Sequence, residues 1–216
     1  MNNLLGIVLS FVFVFMTIGI STVLNKKAIL DDEGSRKFIH IAVSNWWVLA
    51  MLTFDDPLWA SFVPLMFVFI NYLSMKKRVF TAMERKSGKQ EWGTVYYAIS
   101  LLILAYVTFA ADLAYIGGIG ILIMGYGDGF AALIGTRYGK HRLWFGKSIE
   151  GASVVLGFGI LIAGIFFYIY SPNLWLMKSL VVGIVAMVVE LFSPNGFDNL
   201  SLPLTVSLVS FILTTL

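Results

Sequence analysis

The chain contains no cysteine, only two histidines, and 12% charged residues across 216 positions. The missing cysteines exclude a disulfide framework, a thiolate metal site and a cysteine nucleophile together. With so little histidine, a zinc site would have to lean on carboxylates, an uncommon choice for that ion. Soluble domains carry about 25% charged residues, so a chain of 24.0 kDa this poor in charge cannot cover a water-facing surface. What fills the sequence instead is apolar. Hydrophobic residues make up 59% and aromatic residues 15%, with a mean hydropathy of +0.87. The net charge of +3 is small and does not call for nucleic acid. These proportions predict an all-α, polytopic integral membrane protein, whose few polar residues carry whatever chemistry it performs.

A crossing helix takes about 20 mainly apolar residues. Eight such runs are present, at 4–24, 38–54, 59–75, 94–111, 115–136, 151–170, 174–192 and 200–216, of which the second and eighth are short. The first run lacks a charged leader and a small-residue cleavage site, so it reads as a span rather than a signal peptide. With no repeat and no low-complexity linker, residues 1–216 read as a single membrane-embedded catalytic domain. Basic residues set the orientation. Lys26, Lys27, Arg36 and Lys37 lie between the first two spans, and Lys76, Lys77, Arg78, Arg85, Lys86 and Lys89 between the third and fourth. Arg137, Lys140, Arg142 and Lys147 lie between the fifth and sixth. With eight crossings all of these share one side, leaving Lys178 as the exception among 15. The positive-inside rule makes that side cytosolic and places both termini outside. For Lys26, Lys27, Lys76, Lys77 and Arg78, topology and attraction to anionic headgroups are role enough.

Four groups of polar residues ask for more. Asp128 sits within Gly125-Tyr126-Gly127-Asp128-Gly129, seven positions before Gly135 closes its span. That depth is about 10 Å, too far for a short carboxylate to reach bulk water. Close helix packing through Gly125 and Gly129 would explain the glycines but leaves the costly carboxylate unexplained. Next, Gly135-Thr136-Arg137-Tyr138-Gly139-Lys140 and Gly146-Lys147-Ser148-Ile149-Glu150-Gly151 form a glycine-bearing basic loop that ends at a helix N-terminus. Those are ingredients for holding polyphosphate. Gly146-Lys147-Ser148 imitates the end of a P-loop, but His141 replaces the required upstream glycine and a membrane helix replaces the strand. Ser148 also suits a helix N-cap.

Arg36, His40 and Ser44 recur every fourth residue and share a helix face, with Lys37 beside them. That stripe suits a phosphate at the membrane surface, with His40 as a proton acceptor, or simply a snorkelling basic terminus. Finally, Glu190 precedes a tight turn through Pro194, Asn195 and Gly196 that returns Asp198 to the same membrane face. Glu190, Asp198 and Asp128 are then expected to converge on one divalent cation, with oxygen donors of the kind Mg²⁺ takes.

Taken in order, these segments resemble the family of CTP-dependent lipid-alcohol kinases that includes dolichol kinase, phytol kinase and the yeast-type diacylglycerol kinase. The resemblance is carried by Arg36-Lys37-Phe38-Ile39-His40, Gly127-Asp128-Gly129-Phe130-Ala131-Ala132 and Gly135-Thr136-Arg137-Tyr138-Gly139. Lys147-Ser148-Ile149-Glu150-Gly151, Glu190 and Asp198-Asn199-Leu200-Ser201-Leu202-Pro203-Leu204 complete it, with a weaker echo in Trp92-Gly93-Thr94-Val95-Tyr96-Tyr97. The family is distantly similar to phosphatidate cytidylyltransferases. The histidine-bearing acidic motif that closes those enzymes is absent from 193–204 here, which favours the kinase branch.

The resemblance implies transfer of a nucleoside triphosphate's γ-phosphoryl group, with CTP as donor, to the hydroxyl of a membrane isoprenoid alcohol or diacylglycerol. It implies Mg²⁺ or another divalent cation on Asp128, Glu190 and Asp198. Nucleotide contacts are implied at Arg36, Lys37, Arg137, Lys140, Lys147, Ser148 and Asn199. The residues implied to take the hydroxyl proton are Asp128, Glu150 and His40, without a choice among them. The nucleotide arrives from the cytosol and the alcohol from the bilayer, at the cytoplasmic membrane. Two other functions fit some of the same residues. One is a CTP-dependent cytidylyltransferase acting on a lipid phosphate. The other is a transporter or lipid scramblase with Asp128 as coupling carboxylate, although no inverted repeat is visible.

Overall fold

Apolar runs satisfy their backbone polar groups in hydrocarbon by forming helices, and the computed structural model is built of helices throughout. It describes residues 2–77, 92–194 and 196–215, apart from the side chains of Lys77 and Trp144. Arg78, Arg85, Lys86, Lys89 and Asn195 lie outside the described residues. In chain order the helices are α1 (Asn3–Lys26), α2 (Asp32–Ser44), α3 (Trp46–Thr53), α4 (Pro57–Lys77) and α5 (Gly93–Ala110). There follow α6 (Ala114–Leu122), a π-helical segment (Ile123–Asp128), α7 (Gly129–Tyr138), α8 (Ile149–Tyr170), α9 (Trp175–Phe192) and α10 (Asp198–Thr215).

Seven helical stretches among the described residues are long and apolar enough to cross a membrane. They coincide with seven of the eight runs read from the sequence, and α6, the π segment and α7 form one continuous stretch, Ala114–Tyr138. The protein is a polytopic membrane protein. The remaining run, 38–54, is broken into α2 and α3 at Asn45. The Asn45 amide donates to the carbonyls of Ile41 (3.0 Å) and Ala42 (3.3 Å), side-chain competition with the helical ladder that is characteristic of this residue. Around it the backbone tightens to i→i−3 bonds, Asn45 N–H to Ala42 and Val48 N–H to Asn45.

Internal contacts divide the chain into two compact units, Met1–Ala114 and Tyr115–Leu216. In the first, the indole of Trp46 donates to Ser10 Oγ at 2.8 Å and that of Trp47 to the Ala114 carbonyl at 2.9 Å. Trp46, Trp47, Ala50 and Phe54 are buried there. Tryptophan is tolerated in such a core because each N–H finds a partner.

In the second unit, α8 packs against the π segment, α7 and α9, and α10 against α9. Glycine marks two close helix contacts in this unit: a Cβ on Gly120 of α6 would lie 2.5 Å from the Pro203 carbonyl oxygen of α10, and α8 meets α9 nearly as closely. A Cβ on Gly159 would lie 2.8 Å from Gly183 Cα, and one on Gly183 would lie 2.6 Å from Ile160 Cγ1. By contrast, a Cβ on Gly127 would meet Val155 at an ordinary 3.5 Å. Gly120, Gly159 and Gly183 are therefore spent on close helix packing, while Gly127 beside Asp128 has ordinary van der Waals room.

Candidate active site

Three devices in the second unit bring charged groups to one end of its bundle. The first is the π-helical segment Ile123–Asp128, whose wider turn ends at Asp128. Such segments are uncommon and concentrate at functional positions. Asp128 is 5% exposed.

The second device is the α9–α10 corner. Phe197 N–H donates to the Pro194 carbonyl at 2.9 Å, and Gly196 takes φ +82°. The hydroxyls of Ser193 and Ser201 meet at 2.6 Å and staple the corner. It sets Glu190, near the end of α9, beside Asp198, the first residue of α10. Both are buried. Within α10, Pro203 lacks the N–H that would have bonded the Asn199 carbonyl.

The third device is a small hairpin over 141–149. Ile149 N–H donates to the His141 carbonyl at 3.0 Å and Leu143 N–H to the Lys147 carbonyl at 2.8 Å, with an antiparallel bridge between Arg142 and Ser148. The chain reverses through Phe145 (φ 55°) and Gly146 (φ 76°), both left-handed. Its return arm carries Lys147.

These devices meet at the Lys147 ammonium. It donates to Glu190 Oε1 at 2.5 Å and to Asp198 Oδ2 at 2.9 Å. Burial by itself would lower the proton affinity of Lys147. The charges of Asp198, Asp128 and Glu190 outweigh that effect and hold the group above the ordinary lysine range. The acidic residues predicted to converge thus surround a single ammonium.

Among the described residues no group of three His, Cys, Asp or Glu side chains is arranged to hold a metal ion by itself. Lys147 stands where the sequence places a cation on Glu190 and Asp198. Two acceptors at the same corner are nevertheless buried without a hydrogen-bond partner, Glu190 Oε2 and Asn199 Oδ1. Asn199 otherwise donates through Nδ2 to the Gly196 carbonyl at 3.2 Å.

The other residues singled out in this unit divide by exposure. Ser148 is buried and caps α8, accepting from Gly151 N–H at 3.1 Å. It also fills the space beside Gly139, where a Cβ would lie 2.8 Å from Ser148 Oγ. Arg137 and Lys140 are exposed, and the Arg137 guanidinium lies over the Tyr138 ring, 5.7 Å from its centroid. Glu150 is engaged by His141, with Nδ1 and Oε1 2.9 Å apart.

In the first unit, Asp31 caps α2 by accepting from Gly34 N–H at 2.7 Å, and Arg36 pairs with Glu33 at 3.3 Å. Arg36, Lys37 and His40 are all partly exposed. His40 lies against the Tyr97 ring with centroids 4.9 Å apart, and its carbonyl accepts from the Tyr97 hydroxyl at 3.1 Å. Two participants escape the sequence reading. His141 registers there only as a departure from the P-loop, and the hairpin that joins it to Glu150 has no alternating strand pattern to announce it. The π segment likewise leaves no periodicity in so short a stretch.

No family model matches the chain, and no solved structure matches it. Among curated proteins, the phytol kinase of Synechocystis sp. is 32% identical over 200 residues, covering 87% of this chain and 82% of the relative. The probable phytol kinase 1, chloroplastic, of Oryza sativa subsp. japonica is 28% identical over 214 residues, covering 88% and 67%. Phytol kinase 1, chloroplastic, of Arabidopsis thaliana is 29% identical over 212 residues, covering 88% and 69%.

Proposed function

The chain belongs to the phytol kinase family, and we propose that it moves the γ-phosphoryl group of a nucleoside triphosphate to the hydroxyl of a phytol- or polyprenol-type alcohol in the bilayer. CTP is the proposed donor, on the family resemblance. The observation that carries the reading is the Lys147 centre, where one ammonium serves Glu190 and Asp198 and feels Asp128. Phosphoryl transfer needs little covalent help from the protein and depends on positioning and charge neutralisation. A lysine that is held charged, on a short hairpin beside exposed Arg137 and Lys140, is suited to that task.

Three carboxyl groups facing one ammonium leave an excess of acid that a divalent cation would offset. The unpartnered Glu190 Oε2 fits that requirement, because Mg²⁺ commonly takes one or two carboxylates and completes its shell with phosphate and water. Glu190 and Asp198, with Asp128 alongside, would hold the ion, which supplies neutralisation of phosphate charge when bound. Lys147 would contact the phosphates, with Arg137 and Lys140 contributing from the rim. Asn199 offers its free Oδ1 to the nucleotide. Asp128 adjoins the charge centre and is the proposed acceptor of the hydroxyl proton. The proposal for Arg36, Lys37 and His40, phosphate contact and proton acceptance, rests on their shared helix face and on the family resemblance.

A site at one end of an apolar bundle suits this chemistry. The alcohol's tail stays in hydrocarbon while its hydroxyl meets a soluble nucleotide. Taking the broken α2–α3 run as an eighth crossing, we place that end in the cytosol, at the cytoplasmic membrane with both termini outside, from the distribution of lysine and arginine. The test is to incubate purified protein with γ-labelled CTP or ATP, Mg²⁺, and a panel of phytol, polyprenols and diacylglycerol. Labelled isoprenyl phosphate and release of the nucleoside diphosphate are expected. Release of pyrophosphate would establish nucleotidyl transfer instead, and absence of labelled lipid from every alcohol would overturn the reading.

A further inference from the structure

The proposed chemistry gives Glu150 two possible employments, and its contacts choose between them. Glu150 lies in the first turn of α8, next but one to the Ser148 cap. Its Oε1 is 2.9 Å from His141 Nδ1, and its Oε2 accepts a longer bond, 3.4 Å, from the His141 backbone N–H. One carboxylate therefore grips both the ring and the main chain of a single residue, nine positions earlier. His141 is the first residue of the hairpin's outgoing arm, and its carbonyl in turn accepts from Ile149 N–H at 3.0 Å. The two ends of the hairpin are thereby tied where they leave α7 and enter α8. A carboxylate committed to two donors on its own chain is poorly placed to collect a proton from a lipid hydroxyl.

The tie matters because of what the hairpin delivers. Its return arm carries Lys147 to Glu190 and Asp198. Among the described residues its tip is held by one ladder bond, Leu143 N–H to the Lys147 carbonyl, and by Arg142 donating to the Gly146 carbonyl at 3.3 Å. The turn also places Phe145, a residue with a Cβ, in the left-handed region at φ 55°, which costs rather than contributes stability. So short a hairpin does not hold its own shape in water and needs an external brace. Glu150 is the sheltered member of the pair, with its side chain 27% exposed against 71% for His141, so the α8 side supplies the fixed point.

We propose that Glu150 and His141 form a latch that positions Lys147 for the nucleotide, with Glu150 acting as a positioning residue and not as the proton acceptor. The inference rests on the kinase reading only in naming what Lys147 binds. The latch itself is independent of that reading. It predicts a division between the two substrates, because loosening the hairpin disturbs the phosphate end of the site and leaves the alcohol's apolar seat alone.

The experiment compares Glu150→Ala, Glu150→Gln, His141→Ala and the double variant Glu150→Ala/His141→Ala in the full-length protein. Glu150→Ala and His141→Ala should each raise the nucleotide KM about threefold, the scale of a partly exposed ion pair, with the alcohol KM unaltered. The double variant should be no worse than the worse single one, as for two halves of one contact. Glu150→Gln keeps an oxygen for the His141 backbone N–H and offers its NH2 to Nδ1 in the tautomer that accepts there, and should recover most of the lost affinity. A glutamine variant whose kcat falls as far as that of the alanine variant would make Glu150 the proton acceptor and overturn the proposal. Hydrogen exchange over 141–149 reads the latch without any turnover. Exchange should accelerate in both alanine variants and stay slow in the glutamine variant. Unaltered exchange in Glu150→Ala would also overturn the latch, whereas a wild-type protein that phosphorylates no alcohol would count against the kinase reading alone.

Discussion

Two lysines are largely withdrawn from solvent in the second unit, and they solve the problem of a sheltered charge in opposite ways. Lys178, near the start of α9, is 5% exposed. It donates to Ser171 Oγ at 2.8 Å and lies 5.9 Å from the centroid of the Phe167 ring. Its surroundings are a hydroxyl and an aromatic face, sufficient to tolerate an ammonium and offering no acidic group among the described ion pairs. Lys147, at the opposite end of the same unit, is shared between two carboxylates and feels a third. Burial alone thus does not mark a reacting lysine. The difference lies in the excess of acid around Lys147 and in Glu190 Oε2, a buried oxygen left without a donor.

The comparison can be broken most severely at Asp128. Asp128→Asn keeps the shape and removes the charge, and it should lower kcat by at least about 100-fold, the lower range for loss of a positioned proton acceptor. Turnover of labelled alcohol by folded protein measures this. Lys178→Met, in the same assay, should stay near wild type. A wild-type rate in Asp128→Asn would remove that carboxylate from the mechanism.

Stability should separate the lysines next. Lys147→Met strands Glu190 and Asp198 without their ammonium, and breaking a buried pair from one side costs about 3–5 kcal/mol. Lys178→Met forfeits a hydrogen bond to a neutral hydroxyl, about 1 kcal/mol. Chemical unfolding in detergent compares the two. Equal losses would mean that the carboxylates do not depend on Lys147.

The pH dependence sharpens the same contrast with a smaller effect. Lys147 has a raised proton affinity in the folded protein, so its contribution is complete below the unfolded lysine pKa of about 10.4 and is lost as pH climbs beyond it. The stability difference between wild type and Lys147→Met should therefore be level from neutral pH to about 10 and shrink above that. A difference that vanishes already near pH 8 would contradict the arrangement. Smallest of all, Ser148→Ala should cost about 1 kcal/mol through loss of the α8 cap, measured by the same unfolding.

How much of this was legible beforehand follows from the range of each interaction. The spans were readable because a membrane helix is declared by composition over about 20 residues, and seven described stretches match the runs. The break at Asn45 was not, since a single amide bonding back to Ile41 and Ala42 leaves the hydropathy of 38–54 unchanged. Asp128, Glu190 and Asp198 stood out as acids in apolar company, and the Pro194–Gly196 corner foretold the pairing of the last two. What escaped was the ammonium between them. Lys147 looked like a phosphate ligand in a loop, and only the hairpin over 141–149 shows that it rests on the carboxylates. Ser148 offered both a capping role and a phosphate role in the sequence. Its bond from Gly151 N–H shows the capping role, and a phosphate contact stays a proposal beside it.

The most direct test of the Lys147 centre is equilibrium binding of Mg²⁺–CTP and Mg²⁺–ATP to the wild type, Lys147→Met and Lys178→Met, each at a temperature where it is folded. The account predicts that Lys147→Met weakens nucleotide binding at least about tenfold, the loss of one charge-assisted contact, while Lys178→Met binds as the wild type does. Wild-type affinity in Lys147→Met, or a loss confined to Lys178→Met, would contradict it.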